Sequence, residues 1–366
     1  MKKSLALVLC IALLACCLAA CKAEPKQPAA ANPQPSTSND DQTTPATEEP
    51  DATPDETTPD DTTPDDTTPA EAPKIMFIAK NLADPYSTWL MSMCEKYMNE
   101  NWPEAEYVVF DQQADPANTE SLYDQAVLEG YDLVVLQKVS GSQDTDALLQ
   151  DFASQGVRSV VINNEVSDGV SLNVIYPEYE MGSMVAAYAA ENLPENAKVC
   201  ILKSTPSLFS SEERAQAYID MIEKDRPDVE ILDTQNCEGW SKDIAINVMS
   251  DWCQRFDQID AVLSANDGMV LGAIEAAKAD GRDVQAMQFY GIDGLADGCL
   301  SIEAGEETGS VLQDAGEMAK TAVELAQQLY NDPEMDAVKI ELEPVLITAE
   351  NISDFIEMHR STGVIK

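Results

Sequence analysis

The sequence predicts an α/β fold in which parallel sheets are flanked by helices, arranged as two doubly wound lobes. Short apolar runs of strand length alternate with helical patterns from Lys74 almost to the C-terminus, and the connections between them are short. About ten such strands fall into two successive runs, the second of which begins at Val199. Two runs of this length indicate two parallel sheets rather than one.

Each element is assigned from its local pattern. Strands are assigned to short apolar runs that end in a turn, and helices to apolar residues at helical spacing. The predicted strands are 75–79, 107–110, 133–136, 157–162, 172–175, 199–202, 229–232, 259–263 and 287–292. The predicted helices are 86–99, 116–129, 145–155, 180–192, 212–224, 242–254, 269–277 and 316–330. The alternation then stops, and 339–348 is expected to be extended.

The N-terminal segment is expected to lie outside both lobes. Residues 1–20 combine two lysines with an apolar run that is typical of a secretory signal and too short for a stable membrane span. The ending Leu18-Ala-Ala-Cys resembles the lipobox of bacterial lipoproteins, which implies that Cys21 becomes the lipid-bearing N-terminus. The alternative is an ordinary signal peptide that leaves Cys21 free. Residues 21–73 are rich in Pro, Thr, Asp and Glu, so we expect a disordered tether.

The composition argues against several kinds of function. With 66 acidic and 22 basic residues the formal net charge is −44, which disfavours nucleic acid as a partner because phosphate contacts need Lys and Arg. The only histidine, His359, is expected at the surface near the C-terminus, so histidine-based metal sites and hydrolytic triads are not expected. The cysteines of the folded part form no Cys-x-x-Cys pair. A pairing of Cys237 with Cys253 or Cys299 stays open.

Polar and aromatic side chains follow the predicted strands. In parallel α/β sheets ligands bind beyond the carboxyl ends of the strands, so these side chains are candidates for a site. They are Asp84, Tyr86, Asn164, Glu165, Arg214, Trp240, Asn266, Asp293 and Gln313. Amides and carboxylates pair with vicinal hydroxyls, arginine donates in a fixed fork, and rings stack on the apolar face of a sugar. The set contains no nucleophile–base pair, so it predicts binding rather than catalysis. The alternatives are helix capping for the Asp and Asn residues, a solvated loop for Glu165, and a place in the core for Tyr86 and Trp240.

Residues 74–366 resemble the type I periplasmic binding proteins of the ribose/galactose class, the ligand-capturing components of ABC importers. The resemblance rests on Asn266-Asp-Gly-Met-Val-Leu-Gly-Ala, on Tyr290-Gly-Ile-Asp-Gly, on the Asp84-Pro-Tyr turn and on Glu343-Pro-Val-Leu-Ile-Thr-Ala-Glu-Asn. It implies two lobes that close on a sugar about a three-stranded hinge, with crossovers near Tyr176, Gln313 and Lys339. The N-terminal lobe would comprise 74–175 and 313–338, and the C-terminal lobe 176–312 and 339–366.

The same resemblance implies roles for the candidate residues. Its hydrogen-bonding positions correspond to Asp84, Arg214, Asn266, Asp293 and Gln313, and its stacking rings to Tyr86 and Trp240. The chain departs from the pattern at Asn164-Glu165, where pentose-binding members carry Asp-Arg. The reversed charge at Glu165 disfavours plain ribose and favours a hexose, or a ligand with an amine or many donors. The calcium loop of the galactose-binding members is not found, so neither a metal nor a cofactor is expected.

These expectations describe an extracytoplasmic monomer that is anchored to the bacterial cell membrane by the lipid on Cys21. It would capture a hexose-like sugar and deliver it to an ABC transporter permease. A sensor that presents a sugar or furanose-type signal to a membrane receptor would use the same apparatus and stays an alternative. An enzyme acting on sugars or nucleosides would need a catalytic constellation that the sequence lacks. A transcriptional regulator of this fold would need a helix-turn-helix in place of the signal peptide and the acidic tether.

Overall fold

The computed structural model of the protein describes residues 72–139 and 145–366. The predicted signal peptide, the lipidation site at Cys21 and residues 21–71 of the predicted tether lie outside these ranges. Within them, no helix combines the length and the apolar character that a membrane crossing requires.

Strands and helices alternate along the described chain. The strands are β1 (Lys74–Ala79), β2 (Glu106–Asp111), β3 (Leu133–Gln137), β4 (Arg158–Ile162), β5 (Leu172–Ile175), β6 (Lys198–Lys203), β7 (Glu230–Asn236), β8 (Ala261–Ser264), β9 (Gln288–Asp293), β10 (Gly309–Leu312), β11 (Lys339–Glu341) and β12 (Val345–Thr348). The helices are α1 (Pro85–Asn101), α2 (Pro116–Glu129), α3 (Thr145–Ser154), α4 (Glu178–Asn192), α5 (Phe209–Asp225), α6 (Lys242–Arg255), α7 (Asp267–Ala279), α8 (Ala296–Glu303), α9 (Ala315–Asn331) and α10 (Ile352–Ser361).

Two six-stranded sheets organise these elements. The first sheet has the order β11-β5-β4-β3-β1-β2 and the second has the order β12-β10-β9-β8-β6-β7. The strand pairs are parallel except β10 with β12, which is antiparallel. In each sheet the winding reverses beside the first strand of the run, β1 or β6, as in doubly wound folds. The predicted α/β class with two doubly wound sheets is confirmed.

The central strands are apolar on both faces because helices cover both faces of each sheet. Five consecutive residues of β1 and all of β3 are buried. One apolar cluster includes residues of both sheets, among them Phe77 of β1 and Ile201 of β6. The cysteines of the described chain are buried free thiols, at Cys94, Cys200, Cys237, Cys253 and Cys299. Neither pairing of Cys237 that the sequence left open is formed.

The chain passes between the sheets three times, at 176–177, at 313–314 and at 342–344. The first two crossings are joined, because the backbone N–H of Asp314 donates to the Tyr176 hydroxyl at 3.0 Å.

The third crossing differs from the sequence expectation. β11 pairs in parallel with β5 of the first sheet, whereas 339–366 was assigned to the other lobe. β11 is a three-residue edge strand with exposed Lys339 and Glu341, so its sequence carries little signal about the sheet to which it belongs.

Three elements were not predicted: β10, α8 and α10. The helix α10 also corrects the position of His359, which is buried rather than at the surface. Its Nε2 atom lies 2.8 Å from the Gly294 carbonyl oxygen, and its ring packs against Trp89 with centroids 4.9 Å apart. The carbonyl can only accept, so Nε2 carries the proton. Burial lowers the pKa of His359, which keeps the ring neutral.

We predict that Gly182→Ala destabilises the fold. Gly182 lies in α4, and a Cβ there would stand 2.5 Å from the Arg214 carbonyl oxygen and 2.9 Å from Ala217 Cβ. Overpacking of this kind costs about 1–3 kcal/mol, more than the gain of about 1 kcal/mol in helix propensity. The free energy of unfolding measured in urea should fall. Gly268→Ala in α7 is the control, because its nearest neighbour would be 3.5 Å away; an equal loss in both variants would contradict the packing argument.

Candidate functional site

A polar cavity lies between the two sheets, at the carboxyl ends of their strands. We call it the inner cavity. It is lined by Lys80, Asp84, Tyr86, Asn163, Asn164, Leu208, Ser210, Arg214, Trp240, Asn266, Asp293 and Gln313. Of the residues predicted from the sequence, all except Glu165 line it.

The strand order explains why distant residues meet here. Lys80 and Asp84 follow β1, and Asn163 follows β4 of the same sheet. In the second sheet β8, β9 and β10 are neighbours, so Asp293 at the end of β9 lies beside Gln313, which follows β10. The backbone N–H of Gln313 donates to the Asp293 carbonyl oxygen at 3.1 Å. Parallel strands therefore deliver their C-terminal residues to one edge of each sheet.

Two lining residues cap helices as well. Asp84 is the N-cap of α1, where its Oδ1 accepts from the Tyr86 N–H at 3.1 Å. Asn266 is the N-cap of α7, where its Oδ1 accepts from the Met269 N–H at 2.9 Å. The sequence offered capping and ligand contact as alternatives, but capping uses only one polar atom of each side chain. Asp84 Oδ2 instead pairs with Lys80 Nζ at 2.9 Å.

Arg214 is the most constrained charged group of the cavity. Its Nε donates to Glu178 Oε2 at 2.6 Å and its Nη1 to the Ala265 carbonyl oxygen at 2.9 Å. Nη1 also lies 3.6 Å from Asp293 Oδ1, and the guanidinium carbon is 5.5 Å from the centre of the Trp240 ring. Burial alone would lower the pKa of Arg214, but the two carboxylates outweigh it and raise that pKa. The guanidinium therefore stays charged in a fixed orientation.

A chain of amides connects the two sheets across the cavity. Gln137 Nε2 donates to Asn163 Oδ1 at 3.2 Å, and Asn163 Nδ2 donates to Gln313 Oε1 at 2.9 Å. Gln313 Nε2 then donates to Asp293 Oδ1 at 3.4 Å. Each amide is fixed in orientation by its neighbours. The second link joins the first sheet to the second.

Sequence reasoning missed four lining residues: Lys80, Asn163, Leu208 and Ser210. Lys80 matters most, because its ammonium pairs with Asp84 and lies 5.9 Å from the centre of the Trp240 ring. Its backbone N–H donates to Gln137 Oε1 at 3.0 Å. The available signal was its place directly after β1, ahead of Asp84 and Tyr86, the two residues of this turn that were predicted to bind the ligand.

Glu165 lies outside the inner cavity. Its carboxylate pairs with Lys339 of β11 at 2.9 Å, and its backbone carbonyl accepts from Lys138 Nζ at 3.1 Å. Its side chain is 44% exposed. The pairing of β11 with β5 brings Lys339 to this position. Lys339 can pair with Glu165 because β11 joins the first sheet.

Strained backbone is concentrated at the cavity. Seven non-glycine residues of the described chain have positive φ, and three of them, Asn163, Trp240 and Asp293, line the inner cavity, with φ of 73°, 62° and 130°. Such conformations cost about 1–3 kcal/mol each and persist where the surrounding structure fixes them. Gly294 follows Asp293 with φ 67°, and a Cβ there would stand 2.6 Å from Leu312 Cδ1. This strain aims side chains into the cavity and indicates a preorganised site.

The inner cavity is nearly closed. Its volume is about 30 Å³, which is room for no more than a few water molecules. The cations of Lys80 and Arg214 both approach the Trp240 ring. A ring-shaped ligand therefore requires that the two sheets separate or that these side chains withdraw.

Two further carboxyl groups lie near Asp293, which ends β9. They belong to Asp267, the first residue of α7, and to Glu307, which precedes β10. Asp267 is fully buried and accepts from the Leu295 N–H at 2.7 Å and from the Ser310 hydroxyl at 2.6 Å. Glu307 is 2% exposed, and neither carboxylate oxygen has a hydrogen-bond partner in the described chain. Burial raises the pKa of Asp267 to about 6. It also raises the pKa values of Glu307 and Asp293 well above their usual range, although Arg214 opposes the shift at Asp293.

Comparison with known proteins gives a consistent result. A family model described as periplasmic binding protein domain matches residues 75–333. The chain is 27% identical over 245 residues to a xylitol-binding protein of Mycolicibacterium smegmatis. This alignment covers 66% of this chain and 68% of that protein. It is 25% identical over 225 residues to a ribose import binding protein of Bacillus subtilis, with 61% and 71% covered.

Solved structures share the fold. A Caulobacter myo-inositol binding protein, solved with myo-inositol, aligns with a TM-score of 0.72 at 22% identity over 79% of this chain and 98% of that one. A galactofuranose binding protein aligns with a TM-score of 0.72 at 17% identity, with 80% and 99% covered. At these identities the likeness establishes the arrangement of the elements.

We predict that Asp267 makes the protein more stable in mild acid. Its pKa in the folded state, about 6, is above the unfolded value of about 3.9, so the folded state binds the proton more tightly. The contribution is therefore present at low pH and is lost as the pH rises through about 6, by about 1 kcal/mol between pH 5 and pH 7.5. Urea denaturation at both pH values measures the difference.

The variant Asp267→Asn isolates this contribution because it keeps the shape of the side chain and removes its titration. Its stability should change less between the two pH values than that of the wild type. Asp354→Asn, at an exposed position of α10, is the matched control and should retain the wild-type profile. A profile unchanged by Asp267→Asn would contradict the raised pKa.

Proposed function

This chain belongs to the periplasmic binding protein family, and we propose that it captures a neutral ring-shaped polyol, a hexose or a cyclitol, between its two lobes. The family match covers residues 75–333, most of the described chain. The protein is a sugar- or polyol-binding component of an ABC importer and not an enzyme. Its partner is accordingly an ABC transporter permease, which it would meet at the outer face of the membrane.

The lining of the inner cavity carries the proposal. It combines an aromatic ring from each half of the site, Tyr86 and Trp240, with two cations, two carboxylates and several amides. Rings bind the apolar face of a sugar, and the polar groups are placed to donate to and accept from its hydroxyls. A ligand of this class satisfies every kind of group in the lining.

The charge balance of the lining supports a neutral ligand. Lys80 pairs with Asp84, and Arg214 pairs with Glu178, so both cations are already balanced by carboxylates of the protein. The hexose and the amine-bearing ligand were both inferred from the charge of Glu165. Because Glu165 lies outside the cavity, neither inference is supported by its charge. A ring with many hydroxyls and no charge fits the balanced set better than an amino sugar or a sugar acid, because either would leave an unpaired buried charge.

Binding would exchange contacts within the site for contacts with the ligand. Arg214 now lies 3.6 Å from Asp293, and Gln313 donates to the same carboxylate at 3.4 Å. Both contacts are long, so a hydroxyl that accepts from Arg214 and donates to Asp293 can replace them at little cost. A ligand that lacks this hydroxyl leaves the groups unsatisfied, which costs about 1–3 kcal/mol.

We also propose that the mature chain is tethered to the bacterial cell membrane by the lipid on Cys21 and acts as a monomer outside the cytoplasm. The lipobox-like ending of residues 1–20 supports the anchor. The composition of residues 21–73 supports a disordered spacer. At roughly 3 Å per residue such a spacer reaches on the order of 150 Å when stretched, far enough to search for a permease.

The proposal is tested by calorimetric titration of the chain without its predicted signal peptide. The probes are myo-inositol, D-glucose, D-galactose, D-allose, D-ribose and xylitol, and a ring-shaped polyol should bind more tightly than the open-chain xylitol. In Asp293→Asn the affinity should fall about tenfold to a hundredfold, because the amide replaces one carboxyl oxygen with a group that can only donate.

Glu165→Gln is the discriminating control. Because Glu165 pairs with Lys339 outside the cavity, this variant should keep the wild-type affinity within about twofold. If Glu165→Gln abolished binding while Asp293→Asn did not, the assignment of the inner cavity would be wrong. If none of the probes bound, the polyol class would be rejected.

A further inference from the structure

A second cavity adjoins the inner one, and we call it the outer cavity. Its volume is about 560 Å³, far larger than the inner cavity. Its lining comes from the turn after β1, from α1, from the turn before α6, from α7 and α8, and from the C-terminal segment with α10. Asp84 and Trp240 line both cavities, so these two side chains form the boundary between them.

The walls of the outer cavity have the chemistry of a sugar subsite. Apolar surface comes from Trp89, Trp240 and Leu271, whereas hydrogen-bonding groups come from Asn81, Asp243 and Asp297. A sugar ring has an apolar face and a polar edge, so flat rings beside amides and carboxylates complement both. A purely apolar substituent would leave the polar part of this lining unused.

Two buried nitrogen atoms of the lining are unsatisfied. Trp89 is 7% exposed and His359 is 0% exposed. Neither Trp89 Nε1 nor His359 Nδ1 has a hydrogen-bond partner in the described part of the chain. A buried polar atom without a partner costs free energy, so a group that hydrogen-bonds these two nitrogens would be favoured.

The two atoms have opposite requirements. The Trp89 indole N–H can only donate. His359 is neutral and protonated on the Nε2 that binds Gly294, so its Nδ1 can only accept. A hydroxyl group accepts from one kind of atom and donates to the other. A hydroxyl group would satisfy both atoms once the Trp89 and His359 rings turned toward the outer cavity, since both atoms are closed off from solvent in the present arrangement.

We propose that the ligand is a two-ring glycoside, with one ring in the inner cavity and a second sugar ring in the outer cavity. The linkage between the rings would pass Asp84 and Trp240. The inference rests on the proposed function, because the first ring is the neutral polyol assigned to the inner cavity. It adds that the natural substrate is a disaccharide or a glycosylated cyclitol rather than a free monosaccharide.

The test is calorimetry with matched one-ring and two-ring probes. The pairs are myo-inositol with galactinol, D-galactose with melibiose, and D-glucose with gentiobiose. In at least one pair the two-ring compound should bind about tenfold or more tightly than its one-ring partner, since the second ring adds hydrogen bonds and buried area.

Two variants separate the cavities. Leu271→Trp fills part of the outer cavity and should weaken the two-ring compound about a hundredfold while leaving the one-ring partner within about twofold. Leu300→Trp, at an exposed position of α8 outside the lining, is its matched control. Trp89→Phe keeps the ring but removes the N–H, and should weaken only the two-ring compound, by about fivefold to tenfold.

The outcomes distinguish this inference from the function on which it rests. If one-ring probes bind and no two-ring probe binds more tightly, the outer cavity is only a solvent-filled entrance and the inference is overturned. The same holds if Leu271→Trp weakens both members of a pair equally. If no probe of either kind binds, the proposed function fails and the inference fails with it.

Discussion

The buried ion pairs of Arg214 are the constraint on which the rest of the site depends. Its guanidinium donates to Glu178 at the start of α4 and to the Ala265 carbonyl after β8. It also lies 3.6 Å from Asp293 at the end of β9. Buried ion pairs contribute little net stability, but breaking one costs about 3–5 kcal/mol. Arg214 therefore fixes geometry more than it adds stability. It fixes the positions of the cavity residues that follow β8 and β9 relative to α4, the helix that follows the first crossing.

The crossings and the cavity are coupled through shared residues. Tyr176 and Asp314 join the first two crossings, and Gln313, which is adjacent to Asp314, bonds Asn163 of the first sheet and Asp293 of the second. A ligand that competes for the Gln313 amide therefore acts on bonds between the sheets. This arrangement gives binding a direct means of changing how the two sheets approach each other, and the small volume of the inner cavity shows that such a change is needed.

Much of the fold and most of the site could be predicted from the sequence, because the signals are local. A short apolar run followed by Asn266 or Asp293 marks both a strand and the edge at which ligands bind. The failures depend on contacts that are distant in sequence. Glu165 was misplaced because Lys339 reaches it only through the pairing of an edge strand. His359 was thought exposed because its burial depends on packing across the cleft against α1, which a lone histidine in the sequence does not indicate.

The proposed ligand is a polyhydroxylated ring that binds between the sheets, held by Arg214 and Asp293 and stacked on Trp240. A crystal structure of the protein grown with its tightest-binding polyol tests this most directly. We expect electron density for the ring in an enlarged inner cavity, with Arg214 donating to one hydroxyl and Asp293 accepting from another. A ring bound elsewhere, with the contact between Arg214 and Asp293 unchanged, would contradict it.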